Sequence, residues 1–352
     1  MTFGPLAALA VVLSAALAMV PAGPAGPRGP TIGLEMPAGG IDGAEGLAVG
    51  IAVRLGALPV IARDSAQGGF LNPHQDEGVD NDVDVRTAPA SIAGFAADPH
   101  VIAAIGGLRR RVGDADAVAG QARRLPAIVL ARWSRNDKNG DAYCVCVSPG
   151  KLVDFARAAA RERFGARLLV VLVGDAAALE PMWKGRWGAG ATANVRDDGA
   201  GIEFARRRAR AVNAVLVLAD ERPPTLWRGD AFARAFDVDY VRFLGHRDFQ
   251  LIPATALAGS VLTIETRFAP SAARAAFERR FHAVAGYLPG DAATRAFAAA
   301  QVVAQAGLTR EQTRRALRSR SFTTIVGTLT FDGDGFALPY PLALTTPARA
   351  ER

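Results

Sequence analysis

The chain has 352 residues, half of them hydrophobic, which is enough for the cores of two lobes or domains. Charged residues make up 21%, an ordinary share that excludes disorder except at the ends. The formal net charge of +7 comes from arginine, because the lysines are only Lys138, Lys151 and Lys184. The arginines are scattered over predicted helices without a nucleic-acid-binding motif, so we expect solvated helix faces and no nucleic-acid partner.

The first apolar stretch, Leu6–Val20, is too short to span a bilayer comfortably and has the length of a signal-peptide core. A basic segment before it is missing, and the alternative is a buried N-terminal helix. The Pro/Gly-rich residues 21–27 form neither a helix nor a central strand, which is typical of a tether. We therefore predict that residues 1–30 are a signal peptide and tether, and that the protein is exported. No lipobox cysteine follows, so we expect no lipid anchor.

Short apolar runs alternate with helical patterns through the middle of the chain. The predicted strands are residues 101–105, 126–130, 167–173, 215–218 and 240–244. The predicted helices are residues 113–124, 151–164, 202–211 and 230–236. Continuous apolar strands separated by helices indicate parallel strands covered on both faces, so the sequence predicts a doubly wound α/β architecture.

The last third is predicted to be mostly helical. Helices are expected at residues 271–285, 291–306 and 310–318, followed by a strand pair, 323–331 and 336–344, around the turn Asp332–Gly335. The polar, Gly-rich residues 62–82 are predicted to form a surface loop.

Cys144 and Cys146 would point to one face of a strand, where a disulfide would be strained. We expect them to be small buried hydrophobic residues rather than a metal or redox pair.

Four stretches carry a family resemblance through their order and spacing: Ile32–Gly40 (IGLEMPAGG), Asp98–Gly106 (DPHVIAAIG), Phe277–Pro289 (FERRFHAVAGYLP) and Phe322–Gly335 (FTTIVGTLTFDGDG). Together they resemble the type I periplasmic solute-binding proteins, the branched-chain amino-acid (Leu/Ile/Val) group of ABC-importer receptors. The resemblance covers residues 31 to about 344, nearly all of the chain after the leader.

The resemblance implies two doubly wound Rossmann-like lobes joined by a three-strand hinge. Lobe one is expected at residues 31–147 plus 264–328, lobe two at 148–263 plus 329–346, and a tail at 347–352. Ligand would bind in the cleft between the lobes, at the C-terminal ends of parallel strands, and the lobes would close around it.

The loops expected to line the cleft depart from the family pattern in lobe one. The family uses small hydroxyl residues there, whereas this chain has Arg109 and Arg110 in one loop and Arg132 and Trp133 at the next strand end. Guanidinium groups bind carboxylate or phosphate, and indole offers an apolar face, so the pattern favours an anionic or aromatic-acid ligand. Alternatively, these arginines face solvent or pair with acidic residues across the lobes.

In lobe two the candidate ligand-binding residues are Asp220, Glu221 and His246, which follow predicted strands. The acidic residue that the family uses for an amino group is missing near 257–259. The aromatic–Asp pair usual on a late helix is Phe297–Ala298 here. Both departures argue against an ordinary amino-acid receptor and leave the fold unaffected.

Enzyme signatures are missing: the sequence contains no G-x-S-x-G, H-E-x-x-H or P-loop Lys-Ser/Thr motif. We expect no catalysis, no cofactor and no metal. The predicted function is the substrate-binding component of an ABC importer, a monomer that delivers a small polar or anionic ligand (amino-acid-like, or an organic or aromatic acid) to an inner-membrane permease. The alternative is a ligand-sensing or accessory protein of the same fold that is not coupled to transport.

Overall fold

A computed structural model describes residues 30–35, 40–57, 84–88, 92–108, 110–132, 140–164, 168–173, 192–195, 214–219, 239–243 and 261–345. The helices are α1 (Gly40–Ala57), α2 (Arg110–Ala122), α3 (Pro149–Phe164), α4 (Ala272–Ala285), α5 (Asp291–Ala306) and α6 (Arg310–Ser319), with a 3-10 turn at Ile92–Phe95. The first five strands are β1 (Thr31–Glu35), β2 (Asp84–Ala88), β3 (Val101–Gly106), β4 (Ala127–Val129) and β5 (Ala142–Cys144). The next five are β6 (Leu168–Val173), β7 (Thr192–Val195), β8 (Ala214–Ala219), β9 (Asp239–Phe243) and β10 (Val261–Thr266). The last four are β11 (Phe322–Thr324), β12 (Gly327–Phe331), β13 (Ala337–Leu338) and β14 (Leu342–Thr345).

Two sheets repeat the same strand order. The first runs β2-β1-β3-β4-β5 and is parallel throughout. The second runs β7-β6-β8-β9-β10 in parallel and ends with β14, which pairs antiparallel with β10. Apart from β14, each sheet has the order 2-1-3-4-5, which is a common order of doubly wound α/β folds. The predicted architecture is confirmed.

Within the described ranges the chain passes between these two sheets three times. It leaves the first sheet after β5, returns between β10 and α4, and crosses again between β13 and β14. A small antiparallel sheet, β11-β12-β13, precedes the last crossing. Three crossings agree with the expected three-strand hinge. The exact lobe boundaries at residues 147, 263 and 328 stay predictions.

The first sheet buries both of its faces, as its continuous apolar strands predict. One face carries Ile128 and Tyr143 and belongs to a core that includes buried residues of α1 and α5. The other carries Val129 and Cys144 and packs with the 3-10 turn. Alternate residues along each strand therefore enter opposite cores, in keeping with the two-residue period of a strand.

Helix α1 is absent from the sequence-based prediction, because its five glycines weaken the helical signal. The packing of α1 against α5 explains one of these glycines. A Cβ atom at Gly56 would lie 2.6 Å from the backbone oxygen of Phe297 on α5, closer than any side chain is tolerated. Glycine therefore lets α1 and α5 approach each other over the sheet.

The prediction that Cys144 and Cys146 do not pair was wrong. The two residues share a buried face as expected, but they form a disulfide. The chain bends at residues 145–146, so their Cα atoms lie 5.1 Å apart. Two residues along a straight strand would be separated by about 6.6 Å. The bend provides the shorter separation, which lies in the ordinary range for disulfides.

The two long C-terminal strands were also predicted incorrectly. A turn at residues 325–326 divides the first of them into β11 and β12. Pro339 and Pro341 interrupt the second, because proline offers no N–H to the ladder, and β14 then joins the second sheet. The strands β2, β7 and β10 were not predicted. The predicted helices 202–211 and 230–236, the loop 62–82 and the leader lie outside the described residues. No helix in the described ranges is long and apolar enough to cross a membrane.

Candidate functional site

The strand order predicts a ligand crevice at the carboxyl ends of β1 and β3. In a doubly wound sheet, ligands bind where the strand order reverses, outside the carboxyl ends of the strands. In the first sheet this point lies between β1, which ends at Glu35, and β3, which ends at Gly106. In the second sheet it lies between β6 and β8, which end at Val173 and Ala219.

The turn after β3, Gly106–Leu108, is held from two sides. Leu130 and Ala131, which follow β4, donate their backbone N–H groups to the carbonyl oxygens of Gly106 and Gly107, at 2.9 and 3.0 Å. The N–H of Gly107 donates to Oε2 of Glu35 at 3.0 Å. Gly107 has φ of +62°, a left-handed conformation that favours glycine. The turn therefore has a defined shape at the crevice.

Two carboxyl groups meet beneath this turn. Asp116, on α2, is buried, and its side chain hydrogen-bonds with that of Glu35. No ordinary hydrogen-bond donor among the described residues reaches its buried Oδ2. Burial, followed by the hydrogen bond with Glu35 and its charge, raises the pKa of Asp116 to about 8. Near neutral pH this carboxyl group therefore holds a proton that an ordinary aspartate has lost.

Arg132 is the predicted site residue whose side chain the structure describes, and it is buried. Its guanidinium group donates to the backbone carbonyl oxygen of Asp334 and lies 4.5 Å from the ring centre of Phe336. Burial lowers the pKa of Arg132 to about 10, against the opposing effect of the nearby aspartates, with Asp114 the largest. The guanidinium group thus contacts the turn between β12 and β13, and its contact with a ligand stays a prediction.

For the other predicted ligand-binding residues, the structure describes at most the backbone or the adjacent strand or helix. Arg110 is the first residue of α2, next to the turn at the crevice, although its side chain is outside the described part. Asp220 and Glu221 directly follow β8, at the corresponding point of the second sheet. They lie outside the described residues, as do Arg109, Trp133 and His246.

The sequence analysis missed Glu35 and Asp116. Glu35 stands at the end of an otherwise apolar strand, in a stretch that was interpreted only for its family pattern. A carboxylate there was a usable signal, since strand ends at a switch point face the ligand crevice. Asp116 offered no signal, because an acidic residue within a helix is usually solvated.

A surface pocket of about 510 Å³ lies at the opposite edge of the first sheet. Its lining includes His100, which precedes β3, and Glu311 on α6. Arg310, also in its lining, donates from Nε to the carbonyl oxygen of Val101 at 2.7 Å and so attaches α6 to β3. This pocket is at the amino ends of the strands, away from the edge where such sheets bind ligands. The described residues contain no cluster of three potential metal-ligating side chains.

Solved structures share this fold. The chain matches the substrate-binding protein LivJ of the Streptococcus pneumoniae branched-chain amino-acid transporter, solved with isoleucine, at 15% identity and a TM-score of 0.66. That match covers 90% of this chain and 100% of LivJ. The leucine-binding protein LivK of Thermotoga maritima matches at 16% identity and a TM-score of 0.64, over 90% of this chain and 98% of LivK.

A third similar structure is the solute-binding protein of an ABC transporter from R. palustris, solved with benzoate. It matches at 15% identity and a TM-score of 0.64, over 91% of this chain and 93% of its own. No protein-family model and no curated protein sequence matches the chain. At these identities the likeness establishes the fold. The chain has the fold of the type I periplasmic binding proteins, as found in the substrate-binding proteins of branched-chain amino-acid transporters.

Proposed function

We propose that this protein is the periplasmic substrate-binding component of an ABC importer and has no catalytic activity. It captures a small polar or anionic ligand between its lobes and delivers the ligand to an inner-membrane permease. The observation that carries this proposal is the repeated 2-1-3-4-5 strand order, which gives each sheet a switch point of the kind at which such sheets bind ligands. The similar structures support it, because they are substrate-binding proteins solved with isoleucine or benzoate, among others.

The disulfide supports the export that this role requires. Disulfides persist in oxidising compartments such as the bacterial periplasm and are rare in the cytosol. Cys144 and Cys146 are paired, and the apolar stretch Leu6–Val20 has the length of a signal-peptide core. Both features agree with a protein that folds in the periplasm.

The ligand class follows from the residues that we place in the cleft. Arg109 and Arg110 adjoin the turn at the crevice of lobe one, and the remaining proposed ligand-binding residues are Arg132, Trp133, Asp220, Glu221 and His246. Arginine binds carboxylate with two parallel hydrogen bonds, and an indole stacks on an aromatic or apolar group. An organic or aromatic acid therefore fits this set better than a simple aliphatic amino acid.

A thermal-shift panel of amino acids, short organic acids and aromatic acids tests the proposal, starting with benzoate and isoleucine. A true ligand at 100 times its dissociation constant should stabilise the protein by about 2.7 kcal/mol. Failure of every compound to stabilise the protein would count against an uptake function. A ligand that binds while the permease gives no response would instead favour the sensing role.

Variants of the cleft arginines give the matched comparison. Replacing Arg110 with glutamine removes a charged donor, so we expect the dissociation constant of an acid ligand to rise about 10-fold to 100-fold. Arg279 on α4 is exposed and distant in sequence from the crevice, so Arg279→Gln serves as the control. Equal affinities of the two variants would remove Arg110 from the site.

A further inference from the structure

The carboxyl pair of Glu35 and Asp116 lies where the proposed ligand crevice meets the core. Glu35 ends β1, and Asp116 reaches it from the second turn of α2. Glu35 accepts a hydrogen bond from the N–H group of Gly107, and the buried Oδ2 of Asp116, beside Glu35, has no ordinary donor among the described residues. A Cβ atom at Gly106 would stand 2.6 Å from Oε2 of Glu35, so the turn and this carboxyl group are in close contact.

The surroundings of Asp116 offer no countercharge in the described part of the chain. Helix α2 packs on β4, where Gly120 approaches Ala127, and on the 3-10 turn that begins at Ile92. The strand β5 contributes the buried, disulfide-bonded Cys144 on this face. The described charged side chain that acts on Asp116 is the like-charged Glu35 of β1.

The cationic side chain of Arg132 is directed elsewhere. Arg132, after β4, is bound to the carbonyl oxygen of Asp334, and the acidic neighbour that acts most strongly on it is Asp114, not Asp116. A buried carboxyl group in contact with a partly buried one, with no countercharge among the described side chains, cannot ionise at low cost, because like charges at this distance repel strongly.

We propose that Glu35 and Asp116 are positioning residues for the turn Gly106–Leu108, and that they hold the turn in its ligand-binding shape while they share one proton. With the proton in place, the pair carries one negative charge and Asp116 can bridge to Glu35. Loss of the proton puts a second charge beside the first, and the two side chains separate. Because Glu35 accepts from the N–H group of Gly107 and Asp116 lies on α2, their separation moves the turn and the start of α2.

This inference rests on the proposed function in one respect, namely that the turn borders the ligand. It makes binding of the ligand depend on pH through residues that need not touch the ligand. Affinity should be highest when the pair holds its proton and should fall as pH rises past the ionisation of Asp116.

The amide of Gly107 reports on the pair without any ligand. In the full-length protein, two-dimensional NMR of the ¹⁵N-labelled chain should show the Gly107 signal move with pH as a single-proton curve with its midpoint near 8. Asp116→Asn keeps the size of the side chain and removes the proton, so the curve should disappear. Asp114→Asn, two residues earlier on the same helix, is the matched control and should leave it in place.

A second variant guards against misfolding of the first. Glu35→Gln removes the like charge, so the titration should shift to lower pH while the signal of Gly107 remains dispersed. A Gly107 signal that does not move between pH 5 and 9, or one that titrates unchanged in Asp116→Asn, would overturn the proposal.

Affinity measurements at several pH values, with benzoate and isoleucine as probes, test the effect on ligand binding. Affinity for a probe that binds should fall several-fold from pH 6 to pH 9 in the natural protein and stay level in Asp116→Asn. The same pH dependence in both proteins would contradict the proposal. Absence of binding by both probes would count against the proposed function alone, because the Gly107 titration is read without ligand.

Discussion

Arg132 donates a hydrogen bond from its guanidinium group to the backbone carbonyl oxygen of Asp334, although 202 residues separate them in the chain. The guanidinium group also lies over the ring of Phe336. This side chain joins the carboxyl end of β4 to the turn before the last crossing between the sheets. One buried arginine therefore links the candidate crevice to a hinge segment.

Replacement of Arg132 should destabilise the protein. Arg132→Met keeps an apolar stem of similar length but leaves the Asp334 carbonyl oxygen without its donor, so we expect a loss of about 2–4 kcal/mol in the free energy of unfolding. Arg315→Met is the control, because Arg315 is 78% exposed and pairs only with the neighbouring Glu311 in the contacts described. It should change the free energy by no more than about 0.5 kcal/mol. Equal urea midpoints for the two variants would contradict this role.

A second buried ionic contact attaches α6 to the first sheet. The carboxylate of Asp141 is buried and accepts from Nε of Arg314 at 2.7 Å and from Arg318 at 2.8 Å. In Asp141→Asn an amide faces two guanidinium groups, so we expect a loss of about 2–4 kcal/mol. Glu311→Gln alters an acidic partner that is more than half exposed and should leave the urea midpoint nearly unchanged. Urea denaturation of both variants measures the two losses in stability. Equal losses would contradict the structural role of Asp141.

Thiol counting tests the disulfide. Protein isolated from the periplasm without reductant and unfolded should show no free thiol, since Cys144 and Cys146 are its two cysteines. Because the bond closes a very short loop, its removal in the double Cys→Ala variant should cost only about 1–2 kcal/mol. Two free thiols in periplasmic protein would contradict both the pairing and its support for export.

The doubly wound architecture and most of the described helices could be predicted because continuous apolar runs and helical periodicity are local signals. Helix α5 begins and ends where the sequence predicts, at Asp291 and Ala306. Features that depend on distant partners could not be predicted in the same way. Gly56 makes sense only against Phe297, and the Cys144–Cys146 bond depends on a local bend.

The candidate site also combines a feature that local sequence predicts with features that depend on distant partners. Glu35 and Asp116 are 81 positions apart in the sequence. Their contact follows from the packing of α2 against the switch point rather than from any motif. Arg110 was predicted from its loop, and its place at the start of α2 beside this point follows from the strand order.

The ionisation of Asp116 should make stability depend on pH. Its pKa in the folded protein, about 8, exceeds the ordinary value near 4, so the folded state binds the proton more tightly than the unfolded state. The stabilisation is complete below pH 4 and is lost as pH rises towards 8, with a slope of at most about 1.4 kcal/mol per pH unit.

The comparison with Asp116→Asn isolates this effect from other titrating groups. The stability of the natural protein relative to the variant should fall between pH 5 and pH 8, as measured by urea denaturation at several pH values. A difference between the two proteins that is the same at every pH would rule out a raised pKa for Asp116.

Capture of a small ligand by lobe closure is the central claim, and small-angle X-ray scattering tests it most directly. The protein should be measured alone and with a saturating concentration of whichever acid or amino acid stabilises it most. Closure of the lobes about the three crossings predicts a smaller radius of gyration with ligand than without it. An unchanged radius at full occupancy, or a panel in which no compound binds, would contradict the account.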